Sequence, residues 1–398
     1  MPFQPTFLQI FLVVALPLMG LVYALLGGVK LALTERLGLD EAKVGRLVSG
    51  FGMMVGPTIL ACGFLTDSIG RKNVFLAGAS LVAAALFLLA TTRTFGGAQL
   101  AVLLLGAGWS ATINVANVLM RVSVANKEHL VGAINFYDCI FGLGAFLTPM
   151  ALAFLMRRFR YSGGVLLVAG LSLLPIVLGL FAEMNPDRAA APAAGAAPAP
   201  DGLSALLGSA AFWIPALAFL FYAPLETSIA GWATTIVAGE AGPDAAGDRA
   251  RKVAASSLSG FWLCFTGSRL LISILSTRIR VNEQGLLLGL SLCCVALMLT
   301  VVLARGRAAS AIAVVLCGLA FGPVFPTLMS ALLKGLPPST MGRAVGFFFA
   351  FASVGWTVIP MLIGGVTRRG GIRRGFLVAA ASAATFAALV IVRGMTAA

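Results

Sequence analysis

The sequence predicts an all-α polytopic membrane protein, with twelve transmembrane helices in two pseudo-symmetric six-helix bundles. Three observations carry that expectation. Of the 398 residues, 60% are hydrophobic and 11% charged, with a mean hydropathy of +1.00, whereas a soluble domain carries about a quarter charged residues. Apolar runs of about 20 residues recur along the chain, the length at which a helix crosses a bilayer with every backbone group bonded internally. Short stretches of the first half also reappear in the second at a nearly constant spacing.

The first six apolar runs cover about 7–33, 44–65, 74–92, 97–121, 131–155 and 162–182. The chain then changes character over 183–210, where Ala, Pro and Gly alternate from Ala189 to Pro200. Such a stretch buries little and disfavours a continuous helix, so it reads as a linker. Six further runs follow at about 211–236, 254–276, 285–304, 309–333, 344–366 and 376–393. The expected domains are therefore a bundle at 1–182, a linker at 183–210 and a bundle at 211–398. Ser49-Gly50-Phe51 returns as Ser259-Gly260-Phe261, 210 residues later, and Gly144 and Pro149 return as Gly355 and Pro360 at a spacing of 211.

Between the second and third runs lies Gly63-Phe64-Leu65-Thr66-Asp67-Ser68-Ile69-Gly70-Arg71-Lys72. Gly63 allows close helix approach, Asp67 can bond backbone groups at a helix end, and Gly70 permits a tight reversal. Arg71 and Lys72 can neutralise helix C-termini and lipid phosphates. The spacing resembles the signature hinge of the major facilitator superfamily, Gly-x-Leu-x-Asp-x-x-Gly-Arg-Lys, with Ser68 standing where an Arg is frequent. Its second copy is degenerate, Ser276-Thr277-Arg278-Ile279-Arg280. The resemblance implies the major facilitator fold, a cytoplasmic linker, both termini in the cytoplasm, and Asp67, Arg71 and Lys72 as gating residues.

The net charge of +14 would suggest nucleic acid in a soluble chain, but here the basic residues are scattered through short connections. Contact with anionic lipid or loop solvation is the better reading, with no nucleic acid as a partner. In the implied orientation ten Lys and Arg face the cytoplasm and sixteen the other side, so the positive-inside rule points the opposite way. The more specific hinge decides for the family orientation. The six cysteines all lie in apolar runs with no CxxC pair, which reads as core packing rather than disulfides or metal ligands. The N-terminus lacks a basic region and a cleavage site, so the first span is expected to be retained.

Polar residues inside spans are costly unless they face a cavity or find partners. Asn114 lies three residues and Trp109 eight residues before Asn117, spacings that bring all three near one face of the fourth span. The fifth span carries Asn135, Tyr137 and Asp138; the seventh, Tyr222, Glu226 and Trp232; the eighth, Trp262 and Arg269. A carboxyl group in a low-dielectric cavity is costly in its charged form, so Asp138 and Glu226 are candidates to take and release a proton. The alternative for each is a structural pairing with Arg269, Lys30 or a backbone amide. Asn114, Asn117 and Asn135 offer donors and acceptors suited to hydroxyls, or to gluing helices together. Tyr222, Trp232 and Trp262 offer faces for stacking, or packing alone. Arg269 reads as a gate or helix-end ion-pair residue. His129 lies in a loop, and no catalytic triad, Walker loop or HExxH motif is present, so no enzyme is expected, nor any cofactor or metal.

Tyr222-x3-Glu226-x5-Trp232, Phe261-Trp262 with Gly267-Ser268-Arg269, Asn135-Phe136 with Gly142-Leu143-Gly144, and Phe325-Pro326-Thr327 resemble the fucose permease-like branch. That branch implies a monomeric proton-coupled sugar symporter of the cell inner membrane, working by alternating access. The acidic residues of its helices 1 and 4 are absent here. Lys30 stands in the first span and asparagines in the fourth, so coupling either falls to Asp138 or Glu226 or does not exist, and Lys30 suits an anionic substrate such as a sugar acid. The alternatives are a proton-coupled drug or metabolite exporter, and a non-transporting sensor of transporter descent.

Overall fold

A computed structural model describes residues 6–185, 202–238 and 247–397, so most of the expected linker and the 239–246 connection lie outside the described residues. Ten helical segments among these are long and apolar enough to cross a membrane. The helices are α1 (Phe7–Leu37), α2 (Glu41–Ile69), α3 (Arg71–Thr91), α4 (Phe95–Val122), α5 (Leu130–Leu171), α6 (Leu174–Phe181), α7 (Gly202–Leu207), α8 (Ala210–Ala238), α9 (Gly247–Arg278), α10 (Glu283–Leu303), α11 (Arg307–Phe321), α12 (Val324–Lys334) and α13 (Met341–Ala397).

Their ends are set by local chemistry. The Thr6 hydroxyl accepts from the Gln9 N–H while the Gln9 side chain accepts from the Thr6 N–H, a capping box that opens α1. Gly38, in the left-handed region, closes it. Asp40, Thr94 and Asn282 cap α2, α4 and α10 by accepting main-chain N–H groups at 2.7, 3.1 and 3.1 Å.

Two membrane segments, Lys127–Phe181 and Pro338–Thr396, run to 55 and 59 residues. At 1.5 Å per residue each is about 80–90 Å long, against a hydrocarbon core of about 30 Å. Inside them, α5 and α13 each pass through one non-helical residue, Arg160 (φ 58°, ψ 178°) and Gly371 (φ 81°, ψ 164°), 211 residues apart. Counting each as two crossings gives twelve. The expected spans leave loops at 156–161 and 367–375; the structure keeps these stretches helical up to one non-helical residue. Arg157, Arg158, Arg368 and Arg369 are good helix formers and suit a helix C-terminus, so helix persists there.

The chain forms two compact units: residues 1–125, 140–206 and 336–350 in one, 126–139, 207–335 and 351–398 in the other. In the first, α4 packs on α2 and α3; in the second, α9 packs on α8 and α11. Gly144 and Gly355, repeated in the sequence, hold equivalent places. A Cβ on Gly144 would run into the Pro17 carbonyl oxygen, and one on Gly355 into that of Leu220. Helices cross here at backbone contact, which only glycine allows.

Candidate functional site

In the first unit the hinge locks onto the start of α13. Asp67 sits at the end of α2 with its carboxylate 5% exposed. One oxygen accepts from the Gly342 N–H at 2.9 Å; the other accepts from the Arg343 N–H at 2.9 Å and from Arg343 Nε at 3.0 Å. Asn114 braces the same contact: Oδ1 accepts from Thr66 Oγ1 and Nδ2 donates to the Gly342 carbonyl, both at 3.1 Å. Both ends of its amide are thus engaged between helices. Arg71, buried, donates to the carbonyls of Met184 and Pro338 at 3.3 Å, and Lys72 Nζ donates to Leu180 O at 2.6 Å. Backbone approach completes the contact, since a Cβ on Gly342 would lie 2.8 Å from the Gly63 carbonyl oxygen.

The second unit has a matching contact 210 residues out of phase. Gly132, the counterpart of Gly342, faces Ser276 and Ser273, the counterparts of Thr66 and Gly63. Arg280 pairs with Glu128 at 3.3 Å, and Lys127 Nζ donates to Lys334 O at 3.2 Å.

Deeper in that unit, Arg269 of α9 meets Asp138 of α5. Its Nε donates to Gly322 O at 2.8 Å and its Nη1 to the main-chain oxygen of Asp138 at 3.2 Å, with the guanidinium 4.3 Å above the Phe265 ring. Glu226 of α8, half-buried, is within electrostatic reach of both Arg269 and Asp138. The tertiary structure thus gathers Asp138, Glu226 and Arg269 from three helices.

Residues 11–360 match the Major Facilitator Superfamily. The chain belongs to that superfamily. Its fold is shared with the fucose transporter FucP in the outward conformation, at a TM-score of 0.78 and 18% identity over 96% of this chain and 98% of that one. The human organic anion transporter MFSD10 (TETRAN) aligns over 96% of this chain and 98% of that one, with a TM-score of 0.76 and 17% identity. These likenesses show the fold, one of multi-pass membrane transporters rather than enzymes. Dipeptide and tripeptide permease A of Klebsiella pneumoniae (strain 342) is 29% identical over 150 residues, 35% of this chain and 28% of the permease. The same permease of Enterobacter sp. (strain 638) is 30% identical over the same shares. The chain therefore matches under a third of the length of these relatives.

Within this superfamily member the other candidates divide by how their polar groups are used. Tyr222 is fully buried, its hydroxyl donating to Phe321 O at 2.6 Å beside the Glu226 carboxyl, its ring packed on Phe321 and Phe386. Trp232 and Trp262 are half-buried, the first edge-on to Phe376 at 6.3 Å, the second to Phe261 at 5.1 Å. Tyr137 is buried against Phe136. Asn117 and Asn135 each return their amide N–H to the preceding turn, to Ile113 O at 2.8 Å and Val131 O at 2.9 Å. Asn117 Oδ1, Asn135 Oδ1 and Asp138 Oδ2 are buried with no hydrogen-bond partner among the described residues. The Lys30 side chain lies outside the described residues.

Two participants escape the sequence reading. Arg343 looks there like one more cytoplasmic cation; the repeat of Gly132 at Gly342, immediately before it, was the available signal. Tyr23, 50% exposed, stands 5.2 Å from Trp109 and 6.0 Å from Phe141, forming an aromatic wall in the first unit. Its position in an unbroken apolar run concealed it.

Proposed function

We propose that this protein is a secondary active transporter that moves a sugar or similar small polar metabolite across the cell inner membrane, driven by protons. What supports this reading is the convergence of Asp138, Glu226 and Arg269, two carboxyl groups and one guanidinium drawn from α5, α8 and α9. A carboxyl group held beside a fixed cation and away from water changes its charge at an energy a cargo or a gradient can supply. Glu226 and Asp138 carry the proton. Asn117, Asn135 and Tyr137 bind cargo with Trp232 and Trp262, and Lys30 admits an anionic group. Tyr222 and Asn114 hold the surrounding helices in place. Asp67, Arg71 and Lys72 latch the gate at Gly342 and Arg343, and Gly132 and Ser276 close its counterpart. Two bundles, at 1–182 and 211–398, alternate in exposing the cargo, with both termini and the 183–210 linker in the cytoplasm. The protein works as a monomer in lipid, without a cofactor or a resident metal.

The local match to peptide permeases favours a small peptide as the alternative cargo. Proteoliposome uptake across a panel of sugars and dipeptides, with and without an imposed pH gradient, tests both. Glu226→Gln or Asp138→Asn is expected to keep counterflow exchange and lose gradient-driven accumulation. Normal accumulation by both variants overturns proton coupling, and absence of exchange by the parent across the panel overturns this choice of cargo.

A further inference from the structure

We infer that Asn135 and Asp138 form the acceptor side of a site for a monovalent cationic group, either an ammonium on the cargo or a sodium ion travelling with it. The two residues are three apart on α5 and so share a face. Asn135 is 0% and Asp138 5% exposed, about 7 and 12 Å along the helix from Leu130. The Asn135 amide N–H is taken by Val131 O, which leaves Oδ1 as its working end. That oxygen and Asp138 Oδ2 have no donor among the described residues.

The one cation near them among the described residues does not supply what is missing. Arg269 gives its hydrogen bonds to the main-chain oxygens of Gly322 and Asp138 and stacks on Phe265, rather than bonding either carboxylate. Glu226 brings a second carboxyl group into the same neighbourhood, and the Tyr222 hydroxyl beside it already donates to Phe321 O. Among the described residues the cluster therefore holds two carboxyl groups and a free amide oxygen against one cation, with acceptors in excess. A neutral hydroxyl offers a single O–H. An ammonium offers three N–H donors and a positive charge, and a small hard cation takes the same oxygens directly. The cation chemistry fits the deficit better than the sugar hydroxyls alone.

This rests on the transport reading above, yet its test needs binding only. Full-length protein in nanodiscs is melted with glucosamine or glucose, with dialanine or N-acetyl-dialanine, and with sodium chloride or choline chloride, which carries no N–H. At least one amine, or sodium, is expected to raise the melting midpoint at a concentration about tenfold lower than its control requires. Asp138→Asn, which keeps the side-chain volume, and Asn135→Leu are each expected to weaken that response about tenfold. An amine response assigns the site to the cargo, and a sodium response assigns it to a coupling ion. The inference is overturned if each amine and its partner without the amine act alike and sodium matches choline. It is equally overturned if Asp138→Asn stabilises the ligand-free protein and leaves the responses intact, because a proton alone then satisfies both oxygens. Counterflow in proteoliposomes judges the transport reading separately.

Discussion

Asp67 accepts from Arg343 Nε at 3.0 Å, yet the charge pair supplies only one of its three bonds; the others come from the main-chain N–H groups of Gly342 and Arg343. The carboxylate therefore caps the start of α13 as much as it pairs with a cation. Asp67→Asn puts an N–H where these donors point, and is expected to cost about 2–3 kcal/mol. The charge swap Asp67→Arg with Arg343→Asp should fail to restore stability, because it cannot remake the main-chain bonds. Thermal melts of the single and double variants check both statements.

Gly132 closely faces only the Ser276 side chain, whereas Gly342 faces the Gly63 carbonyl together with the Asp67 and Thr66 side chains. A side chain can be removed and a backbone cannot. Gly132→Ala is expected to destabilise the protein by about 1–3 kcal/mol and to be rescued by Ser276→Gly. Gly342→Ala should cost as much, with no rescue from Thr66→Gly. Melting midpoints and counterflow rates of the four variants separate the cases.

Arg160 holds φ 58° and ψ 178°, a region suited to glycine, and its repeat mate is Gly371 at φ 81° and ψ 164°. The strain is worth about 1–3 kcal/mol. Arg160→Gly should recover part of it and raise the melting midpoint, while Gly371→Arg should lower it. An unchanged midpoint for Arg160→Gly would mean that the break carries no strain.

Arg393 bonds Glu283 at 2.7 Å and Gln284 at 2.6 Å, and Ser330 donates to the other oxygen of Glu283 at 3.1 Å. With Glu283 9% and Arg393 19% exposed, the network is nearly sealed. Arg393→Met leaves a buried carboxylate alone and is expected to cost about 3–5 kcal/mol. Adding Glu283→Gln should return most of that loss, measurable in the same melts.

In a cysteine-free background, Ala125→Cys should react with an impermeant maleimide only from the cytoplasmic face, and Arg158→Cys only from the other. The reverse pattern would turn the protein over, in agreement with its excess of Lys and Arg.

Much of the fold was legible because lipid leaves a chain few choices. Runs of about 20 apolar residues have to be helices. A glycine repeated at one spacing, as at Gly144 and Gly355, marks the same crossing twice. The hinge from Gly63 to Lys72 announced the superfamily. Less of the candidate site was legible. Asn114 looked like a hydroxyl binder and proves to have both ends of its amide engaged with Thr66 and Gly342. Tyr222 looked like a stacking platform and is buried in a ring cluster. Arg343 gave no sign of its partner, since 276 residues separate it from Asp67.

By itself the sequence determined that the chain is helical and membrane-spanning, that its two halves repeat, and where charge enters the spans. Those properties follow from the bilayer, which acts on each segment independently. Only the tertiary structure decided which polar groups satisfy one another and which are left over. Arg269 turned to main-chain oxygens, Asp67 found Arg343, and the oxygens of Asn135 and Asp138 were left without donors. Hydrogen bonds reach only about 3 Å, so such pairings depend on which helices meet and at what depth, and no spacing within one helix encodes that.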